Sequence, residues 1–122
     1  MEEWLTHVIF LKIISVIYIG YFTVGGDGDG DVAPLGNFTK SEVCAIGHYL
    51  GLPSKYVDKT PSDGLCGKSD EDNFGFTYDE LDEKIRKGTC GNKEIDRIIE
   101  LKHHANEFKL KKTTSYMPTF MA

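Results

Sequence analysis

The chain has 122 residues, room for one domain whose modest core needs no metal or disulfide staple. A hydrophobic content of 40% and a charged content of 27% are those of an ordinary globular protein, and a net charge of −5 argues against gripping the phosphate backbone of nucleic acid as a main task. The cysteines Cys44, Cys66 and Cys90 are odd in number, widely spaced and without a CxxC pair, which fits a reducing, cytoplasmic compartment.

From Val8 to Val24 the chain is almost continuously apolar, broken by Lys12, Ser15, Gly20 and Thr23. The run is shorter than the roughly 20 residues a membrane-crossing helix requires. Glu2 and Glu3 precede it, where a signal peptide would carry positive charge. Its β-branched residues (Val8, Ile9, Ile13, Ile14, Val16, Ile17, Ile19) predict a buried strand, or two short ones, and no membrane anchor. Such a strand needs sheet neighbours, which the rest of this chain does not supply.

The stretch from Gly20 to Val43 follows. Gly25, Gly26, Gly28 and Gly30 allow sharp bends and close backbone approach, and Asp27, Asp29 and Asp31 stand between them. Crowded carboxylates repel, which a cation, a donor-rich ligand or bulk water must offset. An EF-hand needs Gly after the third Asp and Glu at loop position twelve; Val32 and Phe38 stand there. A calcium-binding β-helix needs tandem repeats, and one copy is present. Residues 20–36 are therefore expected to form a loop-rich connection, either facing a ligand or solvated, and not a calcium cage.

Thr39-Lys40-Ser41-Glu42 is a capping box that opens a helix with Val43, Ile46, Gly47 and Leu50 on one face, closed by Gly51 and Pro53. Cys44 and His48 lie one turn apart on it and could share a metal, although no second pair of ligands is evident. Residues 54–59 read as a helical turn and 60–64 as a loop with turn chemistry. Thr77 to Glu80 is a second capping box, opening a helix through Leu81 and Ile85 that ends at Gly88. Asn92 caps a third helix carrying Ile95, Ile98, Ile99, Leu101, Ala105 and Phe108 at helical spacing. The late basic group Lys102, Lys109, Lys111 and Lys112, with His103 and His104, suits a local phosphate contact or a solvated helix end.

Three segments in one register carry a family resemblance: GYFTVGGDGDGDVAPLGNFTKSEV, HYLGLPSKYVDKTPSDGL and GKSDEDNFGFTYDELD. Residues 15–110 resemble the C-terminal part of ammonia-dependent NAD synthetase, with 1–14 a divergent start and 111–122 a tail of one partial domain. The resemblance implies an α/β, Rossmann-like adenine-nucleotide-binding fold, here a helix-rich C-terminal part with one or two N-terminal strands. It implies a cytoplasmic ligase that works as a homodimer. Such an enzyme adenylates the carboxylate of deamido-NAD with ATP and Mg, then admits ammonia. Residue by residue, it implies that Lys40 and Ser62 contact ATP, and that Asp31 and Lys109 contact deamido-NAD. SDEDNFGFTYDELD would be a loop that orders over the active site. No catalytic residue is assigned.

The departures are specific. The family's Ser-Gly-Gly pyrophosphate loop is not among these residues. Val16 stands at the position of a magnesium-binding Glu, and Val24 at that of a substrate-binding Lys. These changes predict weak ATP binding and no metal ligand in this chain alone. Two functions follow: amidation of deamido-NAD, with the missing N-terminal half supplied elsewhere, or a non-catalytic dimerisation or interaction module derived from the synthetase. Ammonia or glutamine as nitrogen source stays open.

Overall fold

The structure is a computed structural model that describes residues 11–24, 26, 32–62, 64 and 67–111. Six helices run through them: α1 (Ile14–Tyr18), α2 (Lys40–Tyr49), α3 (Ser54–Val57), α4 (Asp70–Phe74), α5 (Tyr78–Lys87) and α6 (Lys93–Asn106). A 3-10 turn, Glu107–Lys109, ends the series.

Side-chain caps fix most of the helix starts. Thr39 accepts from the Glu42 amide while Glu42 accepts from the Thr39 amide, and Thr77 with Glu80 repeats the exchange at α5. Asn92 Oδ1 accepts from the amides of Glu94 and Ile95 at the start of α6. A third capping box, Ser69 with Asp72, opens α4 inside the segment that resembles an active-site loop. Residues 70–74 are thus helical, and Gly75 ends them in the left-handed conformation.

The N-terminal strand is not borne out. Residues 14–18 are helical, and no strand occurs among the described residues, although Val32 makes an isolated bridge. Residues 8–10 of the apolar run lie outside the described set. Tertiary contacts override β-propensity here. The Ile14 amide donates to the Phe38 carbonyl at 3.0 Å, and the helical turn brings Ser15, Val16 and Ile19 to the interior together.

The core joins α1 to α4, α5 and α6 through Val16, Ile19, Phe74, Phe76, Tyr78, Leu81 and Ile99. Each large apolar side chain fully withdrawn from water contributes about 1.5–3 kcal/mol. Phe74 meets Tyr21 and Tyr78 edge-on, with ring centres 4.7 and 5.5 Å away. Behind this cluster His103 stacks on Tyr18 at 4.1 Å and donates from Nδ1 to the Tyr18 carbonyl. Gly20 closes α1 at φ +68°, and a Cβ there would stand 2.3 Å from Asn106 Cβ, so only glycine lets α1 pass α6 so closely.

Candidate phosphate-facing groove

A groove of about 550 Å³ runs between one side of α2, residues 57–61 and the start of α5. Lys40, Ser41, Cys44 and His48 line one wall; Asp58 to Pro61, Glu71, Tyr78 and Asp79 line the other. Lys40 is the first residue of α2, where a cation beside free backbone amides would make an anion site. The cation is present, but the amides are taken. Lys40 N–H donates to Ser15 Oγ at 3.0 Å, and Ser41 N–H donates to Asp82 Oδ2 at 2.8 Å. Thr39 and Glu42 exchange their own amides in the capping box. An anion in the groove therefore meets side-chain cations, Lys40 on α2 and Lys59 on the facing segment, and not the amides of the helix end.

Asp82 organises this start. It is 5% exposed and accepts from Ser15 Oγ at 2.6 Å, Ser41 N–H at 2.8 Å and Ser41 Oγ at 2.7 Å. One turn further along α5, Arg86 donates to both Glu42 oxygens, at 2.8 and 2.6 Å, and to the Asn37 carbonyl. The Arg86 guanidinium, helped by the Thr39 amide, holds the Glu42 carboxyl down at about 2. Asp82 and Arg86 were not singled out from sequence, although a signal existed. Tyr78, Leu81, Asp82 and Ile85 share the spacing of one buried helical face, and an Asp there must be hydrogen-bonded.

Ser62 follows the groove-lining Pro61 but is turned into its own loop. Its hydroxyl donates to the Lys68 carbonyl and accepts from the Gly64 amide, each at 3.1 Å. Lys109 lies elsewhere: its Nζ donates to the carbonyls of Gly20 and Phe22, at 2.8 and 2.9 Å, on the segment that enters the Gly/Asp loop. Asp31 lies outside the described residues, as do 25 and 27–30. Lys40 and the loop that carries Ser62 thus share a groove, and Lys109 stands apart from it.

Behind the groove, Tyr78 donates to Asp70 Oδ2 at 3.1 Å, and the Asp70 amide donates to the Pro61 carbonyl at 3.0 Å. Burial, then the Asp70 charge, pushes the Tyr78 phenol up. The other Asp70 oxygen is buried without a hydrogen-bond partner.

No metal centre forms among the described residues, where no three His, Cys, Asp or Glu side chains converge. The Cys44–His48 pair does not share an ion: the Cys44 thiol faces the Val57 carbonyl at 3.5 Å, and His48 Nε2 pairs with Asp58 at 2.8 Å. Val16, at the position compared with a magnesium-binding Glu, is buried in the core, whereas Val24 is exposed. No helix among the described residues is long and apolar enough to cross a membrane.

Residues 12–117 match the family model described as NAD synthase. The NH3-dependent NAD+ synthetase of Carboxydothermus hydrogenoformans is 41% identical over 92 residues, covering 75% of this chain and 38% of that protein. That of Finegoldia magna is 40% identical over 97 residues, covering 77% of this chain and 40% of that protein. The solved NMN synthetase of Francisella tularensis superposes with a TM-score of 0.81 at 37% identity, over 93% of this chain and 47% of that one. The NH3-dependent NAD synthetase of Campylobacter jejuni, solved with a nitrate ion, shares the fold at a TM-score of 0.61 and 23% identity, over 92% of this chain and 45% of that one. The chain spans about two-fifths of the length of these curated relatives.

Proposed function

Because the chain belongs to the NAD synthase family, we propose that it supplies the helical wall of a site that amidates deamido-NAD to NAD with ATP and ammonia. The reaction is a ligation. The nicotinate carboxylate attacks the α-phosphorus of ATP, pyrophosphate leaves, and ammonia then displaces AMP from the acyl-adenylate to form the amide. In this reading Lys40 holds a phosphate of ATP, and the Ser62 hydroxyl turns out of its loop to join it. Asp31 and Lys109 hold the dinucleotide, and the working assembly is a cytoplasmic homodimer. The observation that carries the reading is the Lys40 ammonium on a groove whose opposite wall is the Thr60–Pro61 loop. Magnesium does not fit the described residues: no cluster of ligands forms, and Val16 offers a methyl-lined core position.

A second reading, a non-catalytic interaction module, draws support from the same burial of Val16 and from the exposed Tyr49, Leu50, Leu52 and Tyr56. One assay separates the two. Amide formation is followed with ATP, ammonia and either deamido-NAD or nicotinate mononucleotide. The chain is used alone and mixed with the N-terminal half of a relative that carries the pyrophosphate loop. The mononucleotide arm is included because of the likeness to an NMN synthetase. The expected result is no turnover alone and product in the mixture, falling about 10²–10³-fold with Lys40→Ala, the usual cost of one charged transition-state contact. A stable mixture without product overturns the ligase reading and leaves the module.

A further inference from the structure

The buried carboxylate of Asp82 does not itself line the groove, yet it holds Ser15 and Ser41, the residues that flank Lys40 in space and in sequence. A helix N-terminus leaves its first amides free, and in an anion site the ligand satisfies them. In α2 that place is already filled from inside the fold. Ser15, fully buried on α1, accepts from the Lys40 amide and donates its hydroxyl to Asp82 Oδ1. Ser41 gives Asp82 Oδ2 both its amide and its hydroxyl. The acceptor comes from 41 residues further along the chain, on a helix anchored in the core by Leu81. The first turn of α2 is therefore fixed relative to the core, and not only relative to its own capping box.

We infer that Asp82 is a positioning residue for Lys40: acting with Ser15 as a resident anion at the start of α2, it sets the turn from which the Lys40 side chain reaches ligand phosphate in the groove. The arrangement separates two tasks that a simple helix-end site combines. Ser15 Oγ and Asp82 Oδ2 take the backbone donors of Lys40 and Ser41, and on α2 the Lys40 ammonium is left for the ligand. Affinity for phosphate then depends on where that ammonium is held, because a single flexible lysine binds weakly unless its stem is oriented. This inference rests on the phosphate reading of the groove proposed above.

The test uses the whole chain, with inorganic tripolyphosphate as the probe at millimolar concentration and backbone amide resonances as the readout. In Asp82→Asn the Ser41 amide loses a charged acceptor, and its hydrogen exchange should quicken by about ten- to a hundredfold. Tripolyphosphate affinity at Lys40 should fall several-fold in the folded population of the same variant. Ser15→Ala should weaken affinity in the same direction, and Ser15→Thr, which keeps the hydroxyl, should restore it. If Asp82→Asn does not fold, the two Ser15 variants decide. A merely structural carboxylate would lower the melting temperature and leave the affinity of folded molecules unchanged. That result, with the wild-type chain responding normally, overturns the role of Asp82 alone. A wild-type chain whose Lys40 resonances ignore tripolyphosphate overturns the phosphate reading itself, and the role of Asp82 with it.

Discussion

The body formed by α1, α4, α5 and α6 and the arm formed by α2 and α3 are held by different physics. The body buries Val16, Ile19, Phe74, Phe76, Tyr78, Leu81 and Ile99 in one cluster. In the arm, Gly47 is the buried residue of α2 and α3 has none, while Tyr49 is 90% exposed. What fixes the arm is directional: Asp82 and Arg86 of α5 grip its first turn through hydrogen bonds to named atoms. Apolar burial fixes how much is hidden but little about angle, whereas a short hydrogen bond fixes direction. The groove lies along α2, from Lys40 to His48, the helix whose direction these bonds fix.

The largest effect that sharpens this contrast is loss of a body side chain. Leu81 is fully buried at the centre of α5, and Leu81→Ala should cost about 2–5 kcal/mol from lost transfer energy and the cavity left behind. Chemical denaturation should show a lower midpoint with α2 melting together with the rest, since Asp82 and Arg86 ride on the same helix. A loss below about 1 kcal/mol would mean that the core can collapse around the gap, contrary to the close packing expected of such a site.

The two regions also differ in how far the sequence disclosed them. The start of the arm was legible, because a capping box is a local pattern: Thr39 with Glu42 opens α2 within four consecutive residues, as Thr77 with Glu80 opens α5 in the body. Ser69 with Asp72 is the same device with Asp in place of Glu, and it lay hidden inside a segment that resembles a loop. α1 was misread as a strand because its β-branched residues favour one in isolation. Its helical state is decided by Phe38 and Asp82, which are distant in sequence. Lys40 was legible as the first residue of a helix, but the occupation of its amide by Ser15 was not, because that bond spans 25 residues. Long-range polar contacts leave no periodic trace; the nearest signal was an aspartate in phase with a buried face.

A smaller and more selective effect comes from acid. The Glu42 carboxyl is held at about 2, against an ordinary 4.5, by Arg86 first and by the Thr39 amide next. A depressed folded value means that the ionised carboxylate stabilises the native state above about 4.5, and that this contribution is lost as the pH falls toward 2. Glu42→Gln removes the titration. The gap in melting temperature between wild type and variant should therefore be constant above pH 5, taken as roughly the upper edge of the window, and should close on acidification. Both partners are substantially exposed, so the gap should also shrink in high salt. The amides of α2 should report the change more strongly than those of α6. A uniform response would break the division between a body held by burial and an arm held by polar contacts.

The smallest expected effect lies at the far end of the arm. Leu50 caps α2 just past its last residue at 66% exposure, one residue before the glycine that turns the chain toward α3. A side chain already in water has little transfer energy to lose, so Leu50→Ser should shift stability by no more than about 0.5 kcal/mol. The polar anchors lie at the opposite end of the helix, near Thr39 to Glu42, and the substitution should leave the Lys40 and Ser41 amide resonances unmoved. Denaturation midpoints and an amide spectrum of the variant together check this. A loss above about 1 kcal/mol would require that Leu50 is buried in solution, which a single chain with this exposure does not provide. It would mean that the arm is held at both ends, and that directional contacts at its start are not sufficient to orient it.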